Sequence, residues 1–74
     1  MEFDYSALRG RITEKYGTGK KFAEAIKMVP TTLSMKLNNK QSWKQADIEK
    51  ARIALEIDAK DLSKYFFCVK SSNN

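Results

Sequence analysis

The chain has 74 residues, 42% hydrophobic and 31% charged, the composition of one small globular domain rather than a disordered or multidomain chain. It holds one cysteine, Cys68, and no histidine, so it can form no internal disulfide and lacks the commonest general base and metal ligand. The net charge of +5 is unevenly spread: from Lys15 to Lys44 seven lysines stand against one acid, Glu24, a local +6.

In chain order every segment reads as helix. Helix one is expected from Asp4, as cap, to Tyr16, with Tyr5, Leu8 and Ile12 on its buried side and Gly17 as its stop. Helix two follows Thr18, whose hydroxyl can accept from first-turn amides. It presents Phe22, Ala23 and Ile26 to one side and is expected to end near Lys27–Met28. Helix three opens at Pro30, whose missing N–H would be unpaired there anyway, and buries Leu33 and Leu37, with Asn39 as the left-handed residue that ends it. Helix four begins with "SWKQ", where Ser42 and Gln45 have the spacing of a capping box, and carries Ile48, Ala51 and Leu55. Ile53 falls off that stripe. Helix five is expected from Asp58, with Leu62, Tyr65 and Phe66 inward, and residues 71–74 as a disordered tail to a single domain spanning 1–70. The longest apolar run, Tyr65-Phe66-Phe67-Cys68-Val69, is too short to span a bilayer, and "MEFDYSALRG" does not look like a signal peptide, so a cytoplasmic location is expected.

Residues 19–40, "GKKFAEAIKMVPTTLSMKLNNK", place two short helices about a brief turn, with small Ala23 where they would cross. Here the chain resembles the lambda-repressor-like helix-turn-helix domains, the small Cro and repressor proteins of temperate bacteriophages. The ordered set "DYSALRGRITEKYG", "FAEAI", "TLSMKLNNK", "DIEKA" and "KYFF" is similar to short phage-encoded regulators of Gram-positive bacteria. The resemblance spans Asp4 to Phe67 and implies a compact five-helix all-α fold, with the helix-turn-helix at helices two and three. Lys27 stands where the family has glycine in the turn, and Val29 where it has a serine or threonine cap.

At about 100° per residue, Met35 points directly away from Leu33 and Leu37, with Thr31, Thr32, Asn38 and Asn39 flanking it and Ser34 and Lys36 at the sides. In the resembled class the first half of this helix enters the major groove of DNA. Thr31, Thr32, Met35 and Lys36 are therefore the expected base readers. Thr18, Lys20, Lys21, Ser34, Asn38, Asn39, Lys40 and Lys44 are the expected phosphate contacts. Ile53, Phe67 and Val69 are surplus apolar residues, expected at a two-fold homodimer contact that pairs two half-sites of a near-palindromic double-stranded operator.

The expected function is a Cro-like repressor acting by operator occupancy. The alternative is a protein-binding adaptor, antirepressor or antitoxin-like, that keeps the fold. The residue types for catalysis, a metal site or a cofactor are missing, so neither an enzyme nor a small-molecule ligand is expected; Asp47, Glu49, Asp58 and Asp61 read as acids near helix N-termini.

Overall fold

Apolar residues at helical spacing, interrupted by Gly17, Lys27, Asn39 and Glu56, divide the chain into short helices that bury one side each. A computed structural model describes residues 2–70 and shows α1 (Ser6–Tyr16), α2 (Gly19–Ala25), α3 (Pro30–Leu37), α4 (Gln45–Ala54) and, after a 3-10 turn at Ala59–Asp61, α5 (Leu62–Phe66). This is the all-α, five-helix arrangement expected from the sequence. The expected tail at 71–74 lies outside the described residues.

The core takes Tyr5, Leu8 and Ile12 from the α1 region, Phe22, Ala23 and Ile26 from α2 and its end, Leu33 and Leu37 from α3, Ala51 and Leu55 from α4 and its end, and Phe66 from α5. Ile57, not singled out by periodicity, is buried as well. Ile48, Leu62 and Tyr65 are only partly buried against this cluster. Gly10, inside α1, faces open space.

Helix ends explain the rest. Gly17 adopts φ 84° and its N–H donates to the Thr13 carbonyl at 2.9 Å. The ends of α2, α3 and α4 repeat one closure, each through a non-glycine left-handed residue: Lys27 (φ 57°), Asn39 (φ 61°) and Glu56 (φ 55°). In each, the following amide reaches back five residues: Met28 to Ala23 (2.8 Å), Lys40 to Met35 (2.8 Å) and Ile57 to Arg52 (3.0 Å). Two arginines of α1 then cap carbonyls of the neighbouring helices. Arg9 donates to the Leu37 carbonyl at 3.2 Å, and Arg11 to the Leu55 carbonyl at 2.9 Å.

Three boundaries differ from the expectation. Asp4 accepts from the Ser6 amide at 2.9 Å, but α1 starts only at Ser6, with Tyr5 at the cap position. The Ser42–Gln45 box does not form, because α4 begins at Gln45 and the Asp47 carboxylate accepts from the Lys44 amide at 3.3 Å instead. The segment expected to open helix five at Asp58 winds first as the 3-10 turn.

The first and last described segments meet. Phe3 and Val69 form an isolated antiparallel bridge, with the Asp4 amide on the Cys68 carbonyl (2.6 Å) and the Lys70 amide on the Glu2 carbonyl (2.9 Å).

Candidate interaction surface around helices two and three

Thr18 caps α2 as expected, its hydroxyl accepting from the Lys21 amide at 3.2 Å. That bond occupies the hydroxyl oxygen at the helix start and leaves Lys20 and Lys21 exposed beside it. The turn after Ala25 delivers the chain to Val29, which sits extended (φ −62°, ψ 133°) at the cap position of α3 with no side-chain cap, followed by Pro30. Val29 is 63% exposed and Met35 is 40% exposed. Thr31, Ser34 and Asn38 are exposed and Thr32 is partly so; on the helix Thr32 lies between Val29 and Met35.

Lys36 departs from its expected role as a base reader. It is 3% exposed; its ammonium donates to the Ser42 carbonyl at 2.7 Å and pairs with the Asp47 carboxylate at 3.2 Å. It also stands 6.0 Å from the centre of the Trp43 ring. The physical reason lies in its place at the edge of the buried side, about 80° from the core direction, where a long apolar stem can cover the core while its head seeks a partner. Burial works to raise the Asp47 carboxyl, but the hydrogen bonds from Lys36 and the Lys44 amide and the charges of Lys36 and Lys50 outweigh it. They hold the group below the ordinary value of 3.8.

Asn39 is also turned inward. Its side-chain oxygen accepts from the Phe3 amide at 2.9 Å and its amide nitrogen donates to the Phe3 carbonyl at 2.9 Å, so its role is to hold the N-terminal segment. Asn38 accepts from Arg9 at 2.8 Å and donates to Ser34 at 3.3 Å. Among the expected phosphate contacts, Lys20, Lys21, Lys40 and Lys44 remain exposed without an ion pair among the described residues, as does Lys27.

The three expected dimer residues are divided. Ile53 (62% exposed) lines a cleft with Tyr16 and Lys27, whereas Phe67 lines another with Phe3, Tyr5 and Trp43, and Val69 pairs with Phe3 in the terminal bridge. The Trp43 indole N–H is buried with no partner among the described residues. Among those residues no cluster of histidine, cysteine or acidic side chains could hold a metal ion, and no helix is long and apolar enough to cross a membrane.

Sequence reasoning missed the inward roles of Lys36 and Asn39 and the prominence of Val29. For Lys36 a signal existed: Asp47 lies at the start of the next helix, and a lysine at the edge of a buried stripe needs a partner. For Asn39 none did, because its partner is backbone 36 residues away.

A family model described as "Protein of unknown function (DUF739)" matches residues 1–69. The fold is similar to the solution structure of the modulator of repression (MOR) of the temperate bacteriophage TP901-1 from Lactococcus lactis. The two are 47% identical, the match covers 97% of each chain, and the TM-score is 0.81. Among curated proteins none matches.

Proposed function

The chain belongs to the family described as protein of unknown function (DUF739), and we propose that it modulates repression in a phage by binding a protein, the repressor of the same phage. The similar phage structure is named for modulating repression rather than for repressing, which supports an adaptor over a Cro-like operator reader. One observation carries the reading. With Lys36 paired to Asp47 inside the molecule, the exposed part of α3 holds no cation, and the large side chains there and at its cap, Met35 and Val29, are apolar.

The commonest base contacts come from long donors on guanine or adenine edges, and the one long donor of the expected set is spent. Apolar Val29 and Met35, in a segment that also exposes Lys20, Lys21, Lys40 and Lys44, suit a protein interface with an apolar middle and a charged rim. The fitting partner surface is apolar at its middle and acidic around it. Such a modulator works in the host cytoplasm beside the repressor.

The test is a calorimetric titration of the purified chain with that repressor, repeated with Met35→Glu. Saturable binding by the wild type that weakens at least about tenfold in the variant supports the reading. Equal binding by both removes α3 from the contact, and no binding by the wild type removes the repressor as the partner.

Direct operator binding by a homodimer is the second reading. It draws on Thr31 and Thr32 and on the unpaired lysines, which would serve phosphates as well as carboxylates. An enriched, two-fold symmetric site in a selection from random duplex DNA by the chain alone would favour it.

A further inference from the structure

A cleft of about 450 Å³ lies between the turn that ends α2 and the outer side of α4, apart from Met35 and the threonines of α3. Its apolar lining is Tyr16, Ala25, Ile26, Ile53 and Ala54, and Lys27 and Lys50 complete it. One wall is pinned, because the Tyr16 hydroxyl donates to the Ala54 carbonyl at 3.0 Å. Ile53 belongs to no buried stripe and stands 62% exposed, a large apolar side chain held toward solvent beside fixed apolar neighbours.

The electrostatics of the cleft have one sign. Lys27 and Lys50 have no ion pair among the described residues, and no acid lines the cleft; Glu24 of α2 stands outside it, while the acids of α4 and its end nearest the cleft are already engaged. Glu49 is bound to Arg52 at 2.6 Å, Glu56 to Lys15 at 3.5 Å and Asp47 to Lys36 at 3.2 Å. Lys27 holds its place in a left-handed conformation that glycine would adopt without strain, and so the turn sets a cation at the cleft. A second copy of the chain is a poor occupant. Two-fold contact through Ile53 would bring the lysines of both copies around a small apolar centre, far short of the roughly 1,200 Å² of a stable interface.

We propose that this cleft docks an acidic amphipathic helix of a partner protein, with its apolar residues against Ile53 and Tyr16 and its carboxylates on Lys27 and Lys50. The proposal does not depend on what α3 binds.

The experiment follows the backbone amide signals of the full chain during titration with two synthetic helical peptides of about 14 residues. Both carry leucine along one side; the remaining positions are mostly glutamate in one and mostly lysine in the other. Saturable shifts centred on Tyr16, Lys27, Lys50, Ile53 and Ala54 are expected with the acidic peptide alone. Ile53→Ser and the double variant Lys27→Gln, Lys50→Gln should each weaken it about tenfold, with the rest of the amide spectrum unchanged. Equal response to both peptides, no response, or shifts centred on α3 would overturn the proposal. So would concentration-dependent shifts of the same residues without peptide, which would make a second copy the occupant.

Discussion

Two stretches of the basic segment carry the same residue types and use them in opposite ways. From Thr18 to Met35 the polar and basic side chains, Lys20, Lys21, Thr31 and Ser34, stand outward with little to hold them. From Lys36 to Asp47 two of them turn inward, Lys36 to Asp47 and the Ser42 carbonyl and Asn39 to the Phe3 backbone, while Asn38, Lys40 and Lys44 stay exposed. The difference is one of demand. The first stretch begins with a capped helix start, whereas the second joins α3 to α4 and must satisfy loop carbonyls and amides that no helix serves.

Substituting Lys36 tests that contrast most severely. Lys36→Ala leaves Asp47 without its partner and a void where the stem lay, and should cost about 3 kcal/mol by urea unfolding. Lys36→Met, which keeps the stem, should cost about 1 kcal/mol. A loss below about 0.5 kcal/mol for the alanine variant would mark Lys36 as an ordinary surface lysine.

Asn39→Ala comes next. It removes both bonds to Phe3 and places a side chain with a Cβ but no local hydrogen bond at φ 61°, for an expected loss of about 2 kcal/mol. Asn39→Gly relieves the backbone but not the bonds and should cost about half as much. Equal stability of Asn39→Ala and wild type would show that the N-terminal segment needs no such clamp.

Lys27→Gly should act in the other direction, stabilising by about 1 kcal/mol through release of the left-handed strain. A destabilised variant would mean that the lysine stem packs more usefully than its exposure suggests.

Acid sharpens the comparison with the least perturbation. Because the Asp47 carboxyl is held below 3.8 in the folded chain, its contribution is fully present above that value and is lost as pH falls through the lower folded value. The pH dependence of unfolding below about 4 should therefore flatten in Asp47→Asn relative to wild type. An unchanged profile would assign the acid sensitivity to other carboxylates.

The helices were legible because their apolar residues recur at helical spacing and each lands in one core. Leu8, Ile12, Phe22, Ile26, Leu33, Leu37, Ala51 and Leu55 are all buried. What periodicity gives poorly is the edge of a stripe, and Lys36 and Ser34 show it: they sit at similar angles from the core, yet one is buried and the other exposed. Left-handed helix ends were legible at Gly17 and Asn39, whose residue types favour that conformation, and illegible at Glu56, whose type does not. The proposal of a protein-binding rather than a DNA-reading α3 rests on the single donor that the edge of the stripe conceals.

The most direct test uses a fluorescently labelled operator duplex and follows its anisotropy at about 150 mM salt as the chain is added, with and without the phage repressor. The account predicts no change with the chain alone and a saturable change once the repressor is present, diminished by Met35→Glu. Tight, sequence-specific binding of the chain alone to the duplex would contradict it and restore α3 as a reader of bases.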